Sequence, residues 1–105
     1  MPLTRNFKDT VKARVERDPD FRAALLTEAV ELMLEGDLDM GKSVLRDFIN
    51  ATVGFDRLAK ETGTPAKSLM RMFGPNGNPR ADNLFSVIGA LQKTSGVRLE
   101  VAAAE

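Results

Sequence analysis

Apolar residues recur at helical spacing along most of the chain. Phe7, Val11 and Val15 repeat every four residues with Lys8, Lys12 and Arg17 between them, which predicts a first helix over residues 6–17, with Asn6 as its cap and Asp9 in its first turn. Asp18-Pro19 joins a capping aspartate to a proline at the first helical position, so a second helix starts there. Phe21, Leu25, Ala29 and Met33, flanked by Leu26, Val30 and Leu34, form its broad apolar stripe, and Gly36 ends it. A third helix is expected over 39–52, capped by Asp39, with Val44, Leu45, Phe48 and Ile49 inward and Gly54 as its stop. Residues 81–94 return to the helical period through Leu84, Phe85, Ile88 and Leu91, up to Gly96. Residues 97–101, Val-Arg-Leu-Glu-Val, instead alternate apolar and charged, which is the period of a half-buried strand. A lone strand cannot complete its own ladder. Two readings stay open for it, a strand paired with its copy in a second subunit or a disordered tail running into Ala102, Ala103 and Ala104.

Between the third and last helices, residues 55–74 read FDRLAKETGTPAKSLMRMFG, two short amphipathic helices around a glycine turn. That is the anatomy of a helix-turn-helix. Ala59 is small enough for the second helix to cross the first, and Gly63 supplies a turn residue able to take positive φ. Thr64 is expected to cap the second helix and Pro65 to open it, while Phe55, Leu58, Leu69 and Met72 pin the two helices together. Pro65, Ala66, Lys67, Ser68, Met70 and Arg71 are left toward the outside. Lys67, Ser68 and Arg71 are the candidates for approaching bases, since Arg and Lys read guanine in the major groove. Arg57, Lys60, Asn76, Asn78 and Arg80 are candidates for phosphate contacts, which give affinity without sequence information. The competing structural explanation is an ordinary helical hairpin with a glycine turn.

Charge strengthens the first of these. The formal net charge is zero, but residues 18–39 set Arg22 alone against seven acidic side chains, whereas residues 57–80 set five basic side chains against Glu61 alone. The basic block coincides with the two short helices and the loop GPNGNPR, residues 74–80, that follows them. The chain has neither cysteine nor histidine, which removes disulfides, thiolate metal sites and Ser-His or Cys-His nucleophiles. Glu28, Glu31 and Glu35 share a helix face but lack the second Glu-rich helix and the histidines of a di-metal bundle, so a solvated face is the plain reading. Asp37, Asp39 and Gly41 do not have calcium-loop spacing, and the loop glycines are not followed by the Gly-Lys-Ser/Thr of a phosphate loop. No enzyme, cofactor or metal is expected. The absence of a secretory pattern or of about 20 consecutive apolar residues points to a cytoplasmic protein with no membrane partner.

The stretch 58–91, with its LAKETG, SLMRMF, PNGNP and LFSVIGAL segments, resembles the lambda-repressor-like (Xre-type) helix-turn-helix domains. It is similar in particular to the addiction-module antidote proteins, the HigA-like antitoxins, in which a Ser-Pro-x-Gly-Asn-Pro-like loop follows the recognition helix. The helix opened by Asp18-Pro19-Asp20-Phe21 and closed by Glu35-Gly36-Asp37 is similar to that group too, so the likeness covers residues 18–99. Two positions depart from it: Arg80 stands where such domains often have a Ser or Thr cap, and Met70 where relatives often carry an aromatic.

The resemblance implies an antitoxin that binds operator DNA, represses its own operon and neutralises a small basic toxin of the RelE/HigB type, usually an mRNA-cleaving ribonuclease. The expected fold is all-α, lambda-repressor-like, with additional N-terminal helices and a short C-terminal strand, acting as a homodimer on a palindromic double-stranded operator. One domain spans residues 1–105: N-terminal helices over 1–36 forming the toxin-binding region, the helix-turn-helix core over 39–95, and a strand or tail over 96–105. Asp20, Phe21, Leu25, Glu28, Glu31 and Glu35 are the toxin-binding candidates, because a toxin with a basic cleft attracts an acidic helix face. Two other readings stay open, a stand-alone Xre-type repressor without a toxin and an interaction module that has lost DNA binding.

Overall fold

Asp18 turns the chain between its first two helices. In the computed structural model, which describes residues 5–104 and side chains from residue 10 onward, its Oδ1 accepts the N–H groups of Asp20 and Phe21, both at 3.1 Å. Those bonds satisfy two of the donors a helix N-terminus leaves open, and Pro19 stands where a missing N–H is harmless. Helix α1 (Arg5–Arg17) thus passes directly into α2 (Pro19–Leu34). The corner is fastened by Arg22, whose Nη1 donates to the Val15 carbonyl at 2.9 Å, and by the Arg14 guanidinium lying 4.3 Å from the Phe21 ring centroid. The expected cap at Asn6 lies inside α1, and its side chain is outside the described residues.

Helix α3 (Leu38–Ala51) packs most extensively on α2. Gly41 allows this, since a Cβ there would come within 2.6 Å of Met33 Cγ and 3.0 Å of the Ala29 carbonyl oxygen. The cap of α3 is Asp37, which accepts the Met40 N–H at 3.2 Å, and not Asp39 as its spacing suggests. Helices α4 (Phe55–Thr62), α5 (Ala66–Met72) and α6 (Ala81–Ser95) complete the chain.

The core is one cluster. Leu26 and Ala29 from α2, Leu45, Phe48 and Ile49 from α3, Phe55 and Leu58 from α4, Leu69 and Phe73 around α5, and Val87, Ile88 and Leu91 from α6 close on one another. The expected inward position of Phe85 is not observed. It is 68% exposed, because the face of α6 that meets the core is centred on Leu84, Val87, Ile88 and Leu91, about 100° round the helix from it.

Among the described residues the fold is entirely helical. The expected C-terminal strand does not form within one chain: residues 97–104 carry no ladder, because no other strand is available to pair with. Among the described residues, no helix is long and apolar enough to cross a membrane.

Candidate nucleic-acid interface

The candidate site rests on α4, α5 and the loop that follows. Gly63 ends α4 in the left-handed region at φ 76°, its N–H bonded to the Ala59 carbonyl at 2.8 Å, so the chain reverses in one residue as the sequence anticipates. Ala59 is half-buried against the core, and Leu69 is completely buried and fixes α5 in place. The expected roles of Thr64 and Pro65 change. Pro65 sits at the cap position of α5 and no side chain caps that helix. Thr62 organises the turn instead, donating its hydroxyl to the Leu58 carbonyl at 2.9 Å and accepting the Thr64 N–H at 3.3 Å. Thr64 stands one residue before the cap position, and its side chain makes no bond to the first turn of α5.

On α5 the burial of Leu69, with Ala66 and Met72 packed beside it, turns the opposite side outward. Lys67, Met70 and Arg71 are exposed together, whereas Ser68 is half-buried at the edge of that face. Of the three base-reading candidates, Lys67 and Arg71 therefore share the outward side with Met70, and Ser68 borders it. Arg57 and Lys60 are exposed on α4. Set against family models, curated proteins and solved structures, the chain matches none of them. What the site can do follows from its own side chains: four exposed cations on two short helices, with a loop beside them.

That loop is firmly held. Lys42, on α3, is only 3% exposed, and its Nζ donates to the carbonyls of Gly74, at 3.3 Å, and of Gly77. The exposed Asp39 carboxylate lies 3.6 Å away, so the buried ammonium has two carbonyls and a partial counter-charge. Gly77 donates to the Gly74 carbonyl at 3.0 Å and presses against the end of α5. A Cβ at Gly77 would run into the carbonyl oxygens of Arg71 and Met72, so only glycine fits. Asn76, Asn78 and Arg80 project from this fixed backbone into solvent. Arg80 stands at the cap position of α6 without capping it, and its Nε lies 3.5 Å from the Asp82 carboxylate, with both side chains well exposed. Such a pair is weak in water and exchangeable for another anion.

Lys42 is the site residue that the apolar pattern passes over. It does carry a signal: it lies three and seven residues before Leu45 and Ile49, so the buried stripe of α3 contains a lysine. A buried lysine must find acceptors, and the stripe points it at the turn after α5.

The acidic candidates form a separate surface. Asp20, Glu28, Glu31 and Glu35 are exposed along one side of α2, opposite the buried Leu26 and Ala29. Leu25 packs against the core and Phe21 is half-buried beneath Arg14, so these two border the stripe from its inner side. Among the described residues no group of three or more carboxylates is arranged to hold a metal ion.

Proposed function

We propose that this protein is a DNA-binding antitoxin with a lambda-repressor-like helix-turn-helix, acting in the cytoplasm. The observation that carries the DNA-binding half is the outward presentation of Lys67 and Arg71 on a short helix whose inner side is locked by Leu69. In this reading α5 enters the major groove, where Lys67 and Arg71 approach bases and Met70 offers an apolar contact. Arg57 and Lys60 hold phosphates on one flank, and Asn76, Asn78 and Arg80 on the other, Arg80 exchanging Asp82 for a phosphate oxygen. The loop arrives preorganised, so little ordering entropy is lost on binding. Mobility-shift titration of the protein's own promoter fragment tests this reading. Binding that weakens steeply with salt is expected, together with its loss in a Lys67→Ala/Arg71→Ala double variant. Unchanged affinity in that variant would remove α5 from the interface.

The antitoxin half is supported by the acidic stripe of α2 and by the family resemblance of residues 18–99. A toxin whose cleft binds RNA phosphates is basic, and Glu28, Glu31 and Glu35 offer it a complementary face. Reversing Glu28 and Glu31 to lysine is expected to weaken capture of the small basic protein encoded beside this gene by more than about tenfold, leaving promoter binding intact. If no such neighbour exists, the stand-alone repressor is the correct reading.

A further inference from the structure

The first half of α3 turns a row of polar side chains toward the loop after α5. Asp39, Lys42, Ser43 and Arg46 recur at helical spacing and so share one face of the helix. With Gly74 and Pro75 opposite them, they line a cleft of about 290 Å³. Its most buried charge is the Lys42 ammonium, whose two carbonyl partners satisfy its N–H groups without cancelling the charge. Ser43 and Arg46, on the same face, are half-buried. Neither side chain has a hydrogen-bond or ion-pair partner among the described residues, and their polar atoms stay open to solvent. Asp39 is the one carboxylate among the described lining residues. Its side chain is 92% exposed and 3.6 Å from the Lys42 Nζ. Two cations therefore outweigh one anion, and that anion is the charge that solvent screens best.

We propose that this cleft holds a phosphate group of the DNA backbone, bonded by the Arg46 guanidinium and the Ser43 hydroxyl, with Lys42 as the fixed charge behind them. The proposal rests on the DNA-binding reading and adds α3 to its surface. A guanidinium fork fits carboxylate and phosphate oxygens alike, so position decides between them. Pro75, on the lining, is followed directly by Asn76, and the cleft thus extends the row of Asn76, Asn78 and Arg80 round the end of α5. A duplex strand offers one phosphate for about every 3.4 Å of axis, so a backbone lying along that row has a further phosphate to place here. The cleft is just smaller than the roughly 300–1,000 Å³ of sites that enclose an organic ligand, which suits one group of a large molecule. A free phosphate ion would be held by these few contacts alone. A DNA phosphate arrives tethered, at the high effective concentration that the other contacts create.

Titration of the full chain with its promoter fragment and with an unrelated duplex, at several salt concentrations, tests the assignment. Arg46→Gln is expected to lower the slope of log affinity against log salt by about 1 and to weaken both duplexes alike, about fivefold at 0.15 M salt. Arg46→Lys keeps the charge and is expected to keep the slope. Ser43→Ala is expected to cost about threefold at unchanged slope, because a hydroxyl displaces no counterion. Asp39→Asn removes the opposing charge and is expected to tighten both duplexes about threefold. Inorganic phosphate added to the protein alone, followed by the nuclear magnetic resonance signals of Ser43 and Arg46, is expected to bind with a dissociation constant above about 1 mM. Tighter binding of the free ion would overturn the assignment to DNA. A wild-type slope in Arg46→Gln, a slope lost in Arg46→Lys as well, or no gain in Asp39→Asn would each overturn the proposal. If the Lys67→Ala/Arg71→Ala variant loses promoter binding while Arg46→Gln does not change it, this proposal falls alone; a wild type that binds neither duplex takes the DNA-binding reading with it. Circular dichroism checks that each variant keeps its helices. Should Arg46→Gln lose them, Asp39→Asn decides.

Discussion

The loop after α5 and the segment after α6 have much in common and end in opposite conditions. Each follows a helix, lacks regular structure and exposes charged or amide side chains. In the loop, Lys42 and the Gly77 N–H occupy the carbonyls of Gly74 and Gly77. In the terminal segment Arg98 and Glu100 bond to nothing among the described residues. The loop is completed by its own chain and can hold Asn76, Asn78 and Arg80 in place before any ligand arrives. The terminal segment keeps main-chain groups that no described residue occupies.

The sharpest way to break this contrast is Gly77→Ala. Its Cβ would meet main-chain oxygens of α5, which cannot move aside as a flexible side chain would, so a loss of about 3 kcal/mol in urea unfolding is expected. A loss below about 1 kcal/mol would show that the loop is not pressed against α5 as described. Lys42→Met comes next. It keeps the volume of the side chain but leaves the Gly77 carbonyl without its donor and the Gly74 carbonyl with the Gly77 N–H alone, for an expected loss of about 2 kcal/mol. Promoter affinity should fall with it, since Asn76, Asn78 and Arg80 would lose their fixed backbone. A variant of undiminished stability would mean that water replaces the ammonium and that Lys42 does not fasten the loop.

What was legible in the sequence was local. Asp18-Pro19 and the glycines at 36, 63 and 96 mark helix ends because capping and positive φ involve groups within a turn or so of one another. Where two local solutions compete, spacing alone chose the wrong one: Asp37 caps α3 in place of Asp39, and Thr62 organises the turn in place of Thr64. Phe85 matches the helical period but stands on the margin of the buried arc, so a list of apolar positions places it inside when it is out. Lys67 and Arg71 were legible as outward residues, because a seven-residue helix pinned by Leu69 has few faces to offer. Lys42 was not, since its partners are distant, carbonyls 32 and 35 residues further along the chain, and Gly77 was not, since its need for glycine comes from the way the loop folds back on the carbonyls of Arg71 and Met72, which no local spacing shows. The alternation of residues 97–101 was plain, but it predicts a strand only if a second strand exists, and one chain does not contain it.

With α5 as the proposed DNA-binding helix and the homodimer that the family resemblance implies, the protein is expected to grip its operator twice. Hydroxyl-radical footprinting of the promoter fragment tests that directly. The expected result is a palindromic pair of protected half-sites, about 34–36 Å apart along the helix axis. An unprotected fragment, or a single unsymmetrical half-site at saturating protein, would contradict it.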